Sequence, residues 1–166
     1  YKGANYAQAR NLLSRFQRRN GSVSVFDIDL SLEKDKKLVL DVMERWQQNK
    51  GKYITREEIA LQRLITEASN FQLISFGVAV DGVMVAYAIN EVLHDGYAIS
   101  HFAQADVKYP GLNSFMMQTI AQYVLKRGCV FINYEQDLGL PGLRQAKKSY
   151  HPSHFLKKYS IVQRAL

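Results

Sequence analysis

The chain has 166 residues, 47% of them hydrophobic and 22% charged, the balance of one folded globular domain. Its one cysteine, Cys129, excludes a disulfide scaffold and a Cys-based zinc site. No apolar run approaches the roughly 20 residues that span a bilayer. The net charge of +7 is unevenly placed. Residues 1–22 carry Lys2, Arg10, Arg15, Arg18 and Arg19 with no acid; residues 144–166 carry Arg144, Lys147, Lys148, Lys157, Lys158 and Arg164, again with no acid. All 15 acids lie between these ends. Such ends either form a basic surface for phosphates, RNA or anionic lipid, or merely solvate two terminal helices.

The start, Tyr1-Lys2-Gly3, has neither an initiator Met nor a signal-peptide core, so the chain reads as a piece of a longer cytoplasmic protein. From Asn5 to Arg19, Ala9, Leu12, Leu13 and Phe16 share one helical face, and Asn20-Gly21 ends it. Val23 to Ile28 reads as a strand. Ser31 and Asp35 are candidate caps for a helix carrying Leu38, Val39, Val42, Met43 and Trp46, which stops at Asn49-Lys50-Gly51. Thr55 with Glu58 makes a capping box for a helix bearing Ile59, Leu64, Ile65 and Ala68.

After Asn70 the texture changes. Leu73–Val80, Val83–Val92 and Tyr97–Ala103 read as an antiparallel meander, turned at Asp81-Gly82 and at His94-Asp95-Gly96. Pro110-Gly111 breaks the pattern, and Leu112, Phe115, Met116, Ile120, Tyr123 and Val124 line the next helix up to Gly128. Cys129 to Asn133 reads as a strand, and Pro141 opens a helix to about Ser149. His151-Pro152 interrupts it. Phe155, Leu156 and Tyr159 predict a last short helix, and Ser160 to Gln163 a terminal strand. This order makes an α+β domain, a central and mostly antiparallel sheet flanked by helices. It is similar to the acetyltransferase-like (GNAT-like) fold, in which two strands splay apart to admit a thioester or ester donor.

The densest segment runs from Phe131 to Pro152. Its Asn133, Glu135 to Gly139, Gly142 to Arg144, Ala146, Lys147, Ser149, Tyr150 and Pro152 resemble the signature of an uncharacterised bacterial family related to the C-terminal region of phosphatidylglycerol lysyltransferase. Tyr6, Arg10, Asn11 and Phe16 resemble that family's opening helix. The resemblance implies a tandem arrangement: residues 1–22 as a basic helix joining a missing N-terminal half, residues 23–166 as the second acetyltransferase-like domain. It further implies transfer of an aminoacyl group from charged tRNA to a lipid or cell-wall acceptor, at the inner face of the membrane.

The residues themselves offer several groups. Glu135 and Asp137, two apart, would share a face in an extended segment and supply a carboxylate base. The structural alternatives are that Asp137 caps the helix at Pro141 and that Glu135 pairs with Arg144 or Lys147. His101, on the last meander strand, is a third candidate base or a satisfied structural histidine. Arg144 and Lys147, on one helix face, with Tyr150 and Asn133, form a candidate phosphate or carboxylate site. Acetyl-CoA enzymes of the similar fold carry a Gly-rich loop whose N–H groups cradle a pyrophosphate. The equivalent stretch, Asp106 to Asn113 with Lys108 and Gly111, has one glycine and a proline. This departs from the pattern, so no cofactor is firmly implied, and acetyl-CoA is the alternative donor. A non-catalytic scaffold or RNA-binding half is the third reading. His151 and His154 have no carboxylate beside them, so no metal site is expected.

Overall fold

A computed structural model describes residues 1–50, 56–94 and 96–163. Thr55 of the expected capping box, Gly51 of the helix stop, Asp95 of the second turn and Arg164 of the basic end lie outside them. The chain divides into two compact units, residues 1–135 and 136–166.

In the first unit, α1 (Ala7–Arg19) leads into β1 (Val23–Asp27), α2 (Glu33–Lys50) and α3 (Arg56–Thr66). Then come β2 (Leu73–Val80), β3 (Val83–Val92), β4 (Tyr97–Ala105), α4 (Leu112–Lys126) and β5 (Phe131–Asn133). The sheet order is β1-β2-β3-β4-β5, antiparallel except for the parallel β4–β5 pair. Asp81 and Gly82 both have positive φ, as the tight β2–β3 hairpin requires. Asp35 lies inside the first turn of α2, where its carboxylate accepts the Asp29 N–H at 2.8 Å. Ser31 does not cap that helix: its N–H and hydroxyl both turn to the Asp29 carboxylate.

β2 and β3 are apolar almost residue by residue because helices cover both faces of the sheet. Against one face, Val39, Val42 and Met43 of α2 and Leu61 and Ile65 of α3 pack on Tyr87, Ile89 and Phe102. On the other, Tyr123 of α4 packs on Phe76 with the rings tilted and their centroids 4.6 Å apart. Each fully buried large side chain contributes about 1.5–3 kcal/mol. Helix α1 packs on α4, and Gly111 makes the contact possible: at φ 92°, a Cβ there would collide with the Leu12 carbonyl.

Among its described residues the second unit contains one helix, α5 (Pro141–Lys148), opened by Pro141 in its first turn. The expected helix at Phe155–Tyr159 and the expected strand at Ser160–Gln163 are both absent; residues 154–163 have no regular structure. Phe155, Leu156, Tyr159, Ile161 and Val162 are exposed. A one-turn helix has too few hydrogen bonds to stand without packing, and a strand needs a ladder partner. β5 is also shorter than expected, starting at Phe131 because Cys129 and Val130 lie outside the ladder.

Candidate functional site

Where β4 parts from β5, the first unit assembles an array of titratable groups. The two strands pair over three positions only: Tyr97 with Phe131, Ala98 with Ile132 and Ile99 with Asn133. β4 continues to Ala105, and no strand among the described residues pairs with its outer edge beyond Ile99. At the same place β4 bulges. Ser100 opposes Asn90 and Phe102 opposes Ile89, which leaves His101 as the extra residue. A bulge re-aims a side chain, and here it puts His101 on the face of Phe102, towards the α2–α3 layer.

His101 lies between two carboxylates. Its Nε2 is 2.7 Å from Glu91 Oε2 and its Nδ1 is 3.2 Å from Glu135 Oε1. Neutral imidazole has one N–H and satisfies one acceptor; imidazolium has two and satisfies both. The hydrogen bond to Glu135 therefore raises the His101 pKa above its ordinary value, partial burial works against this, and Glu91 adds to the rise. His101 and Glu91 are largely covered, whereas the Glu135 side chain is 48% exposed and is the member open to solvent.

Glu135 reaches His101 through an unusual backbone. Its φ is 56°, the left-handed region that costs a residue with a Cβ about 1–2 kcal/mol. Asn133 holds it there by accepting the Glu135 N–H on Oδ1 at 2.8 Å, an Asx turn. Asn133 is thus a positioning residue for Glu135. Behind the bulge, on the α4 side, Asn90 and Ser100 are buried cross-strand partners. Asn90 donates to the Ile74 carbonyl at 3.1 Å, while its Oδ1 and the Ser100 Oγ have no partner among the described residues.

Asp137 and Arg144 belong to the second unit. The left-handed turn at Glu135 ends the extended run, so the expected shared face of Glu135 and Asp137 does not form. Glu135 pairs with His101. Asp137 does not cap α5, whose N-cap is Leu140. It accepts the Gly139 N–H at 2.9 Å and forms an ion pair with Arg144 at 2.5 Å. Arg144, then the Gly139 N–H, hold the Asp137 carboxyl down at about 2. Arg144 is therefore engaged within its own unit; Lys147 lies one turn on and Tyr150 follows the helix, both partly covered.

The stretch from Asp106 to Asn113 forms a closed turn. Asp106 is buried, and its carboxylate accepts the Lys108 N–H at 2.9 Å and the Asn49 amide at 3.2 Å. Tyr109 N–H donates to the Asp106 carbonyl and Leu112 N–H to the Tyr109 carbonyl; Pro110 has no N–H. The Lys108, Tyr109 and Leu112 amides are engaged inside the turn, and Gly111 is committed to the α1 contact. Lys108 and Asn113 are exposed beside it. These residues do not fit a CoA phosphate loop.

No group of three His, Cys, Asp or Glu residues among the described ones has metal-ligating geometry. Sequence reasoning missed Glu91. Its signal was the single acid in a strand that is otherwise apolar but for Asn90, and its partner became visible only through the β3–β4 register.

The comparisons agree with this architecture. A conserved protein of unknown function from Bacteroides thetaiotaomicron superposes with a TM-score of 0.81 at 24% identity, covering 92% of this chain and 52% of that one. The C-terminal domain of a protein assigned as a lysylphosphatidylglycerol synthetase, from Agrobacterium fabrum, gives 0.67 at 18% identity, covering 92% and 53%. The ribosomal-protein-alanine N-acetyltransferase of Brucella melitensis gives 0.61 at 12% identity, covering 86% and 100%, which shows the GNAT acetyltransferase fold. The chain spans about half the length of the first two. No curated protein matches it. No described helix is long and apolar enough to cross a membrane. Residues 1–162 match the phosphatidylglycerol lysyltransferase C-terminal family, so this chain belongs to that family.

Proposed function

We propose that this chain is the catalytic half of an enzyme that moves an aminoacyl group from a charged tRNA to a lipid or cell-wall acceptor. The observation that carries this reading is the Glu91–His101–Glu135 array at the point where β4 leaves β5. With His101 protonated, the array holds two negative charges and one positive. That net charge suits the ammonium of an aminoacyl ester and gives nothing to an uncharged acetyl thioester. The Lys108, Tyr109 and Leu112 amides, engaged within the Asp106–Asn113 turn, and Pro110, which has no N–H, also speak against acetyl-CoA.

Glu135, the exposed carboxylate, takes the proton as the acceptor oxygen or nitrogen attacks the ester carbonyl. The new acyl bond forms, the ester C–O bond to the tRNA ribose breaks, and the proton passes from Glu135 to the departing oxygen. His101 and Glu91 position Glu135 and keep its charge compensated. The basic residues of 1–22 and of α5 supply phosphate contacts for tRNA or an anionic lipid surface on the inner face of the membrane. In this reading residues 1–22 join a preceding N-terminal half, and residues 23–166 form the second domain of a tandem pair.

The test is thermal unfolding of the full-length protein at fixed salt, with acetyl-CoA, charged tRNA or uncharged tRNA. A larger rise with charged than with uncharged tRNA is the expected result. A rise with acetyl-CoA alone makes the protein an acyl-CoA N-acyltransferase instead. Binding of both tRNA forms alike, with no transfer, makes this half a scaffold.

A further inference from the structure

β4 and β5 stop pairing at Ile99 and Asn133. Two residues further along each chain segment they meet again through side chains, with His101 Nδ1 3.2 Å from Glu135 Oε1. We propose that this contact is a proton-operated clasp across the mouth of the split, closed while His101 carries two ring N–H groups and open when it carries one. The clasp rests on the array alone; only its bearing on transfer rests on the function proposed above.

Which contact breaks is decided by burial. Neutral imidazole has one N–H for two carboxylates, and Glu91 takes it. The Glu91 oxygen is 2.7 Å from Nε2 and its side chain is 18% exposed, against 3.2 Å and 48% for Glu135. A carboxylate left unpaired costs more where water reaches it less. With the proton on Nε2, Nδ1 turns a lone pair towards Glu135, so the contact becomes repulsive. The hydrogen bond to Glu135, opposed by partial burial and joined by Glu91, raises the His101 pKa, so the clasp opens above the ordinary histidine range. No other described titratable group bears on that proton. Glu57 and Glu58, in the first turn of α3, are bonded to Gln104 and Gln47.

How far the opening spreads is decided by the backbone. Glu135 sits at φ 56°, and two contacts keep it there: the clasp and the bond from its N–H to Asn133 Oδ1 at 2.8 Å. Without the clasp, that one bond stands against the strain, so the Glu135 backbone relaxes and its N–H meets water. The start of β5 is anchored separately. Val130 N–H donates to the Gly96 carbonyl at 2.8 Å and Phe131 N–H to the same carbonyl at 3.2 Å. Opening is therefore a local swing at the end of β5, and it uncovers the edge of β4 beyond Ile99, which no described strand pairs with. In the transfer reading the closed clasp holds Glu135 in place as the base, so transfer declines as the clasp opens.

The test follows water exchange of the Glu135 amide in the full-length protein by NMR, corrected for its intrinsic rise with pH, together with the His101 ring protons. Protection of the Glu135 N–H falls about tenfold with the midpoint of the His101 titration, the worth of one charge-assisted hydrogen bond at a partly exposed site. The Phe131 N–H keeps its protection. In Glu91→Gln the side-chain amide donates to Nε2 of neutral His101, Nδ1–H stays with Glu135, and protection stays high through the titration. No fall in the unaltered protein, a fall with another midpoint, or an equal fall at Phe131 overturns the clasp. So does a Glu91→Gln protein that keeps the wild-type fall or loses protection at every pH. If charged tRNA supports transfer while Glu135 exchange is flat, the clasp falls and the transfer reading stands. If exchange follows His101 and charged tRNA yields no transfer, the transfer reading falls and the clasp stands.

Discussion

Glu135 and Asp137 stand two residues apart in one run, and the fold employs them differently. Glu135 closes the first unit, held in a left-handed turn by Asn133 and directed onto His101. Asp137 opens the second unit and pairs with Arg144, one turn into α5. The first carboxylate meets a titratable partner delivered from another strand; the second meets a permanently charged one seven residues along. A carboxylate beside a guanidinium stays ionised and is a poor proton carrier. A carboxylate beside an imidazole that can itself gain or lose a proton is suited to move one.

The largest expected effect breaks this contrast if it is wrong. Glu135→Gln lowers transfer by the full-length protein by about 10²–10⁴-fold, the usual worth of general acid–base catalysis, with an unfolding midpoint close to wild type. Asp137→Asn costs far less activity. Steady-state rates with charged tRNA measure both, and equal losses would erase the distinction.

Stability separates the same two units. Phe76, fully buried under Tyr123, is expected to cost about 3–5 kcal/mol when changed to Ala, by denaturant unfolding. Phe155, 72% exposed in the second unit, is expected to leave the midpoint unchanged in the same substitution.

The next effect is on proton affinity. The His101 pKa, followed by NMR of its ring protons, lies above the ordinary value of about 6.5 and falls in Glu135→Gln. The sign for stability follows from the rise on folding. The stabilising contribution is complete below about pH 6.5 and is lost as pH rises through the folded value. Glu135→Gln therefore flattens the loss of stability on the alkaline side. A His101 pKa insensitive to Glu135 would show that the contact does not persist in solution.

The smallest effect belongs to Asp137. Its carboxyl titrates at about 2, and Arg144→Ala returns it towards the usual carboxylate range, read from its carboxyl carbon shift. Here the pKa is depressed on folding, so the contribution is present above about pH 4 and lost as pH falls through about 2. The pair is exposed and screened, so Arg144→Ala leaves the thermal midpoint within error.

Much of the fold was legible because it is local. The 3.6-residue spacing of Leu12, Leu13 and Phe16, the Asp81-Gly82 turn and the continuous apolar runs of β2 and β3 each announce their structure within a few residues. The run from Asn133 to Pro152 and the family match over residues 1–162 agree. Where local pattern needed outside support, it misled. Phe155, Leu156 and Tyr159 have helical spacing, and Ser160 to Gln163 has strand composition, but neither segment acquires regular structure. The candidate site was legible in part. His101 and Glu135 each stood out as titratable residues, yet Glu135 was paired in expectation with its sequence neighbour Asp137.

What composition and periodicity alone determined is the α+β class, the meander and the order of its elements, because helices and hairpins are written in contacts a few residues long. What only the tertiary structure decided is the company each side chain keeps. The β3–β4 register brings Glu91 to His101, the bulge turns His101 towards it, and the end of β5 delivers Glu135 from 34 residues away. No short-range pattern encodes those meetings. They depend on hydrogen-bonded ladders between strands, which fix positions by pairing across space, not by distance along the chain.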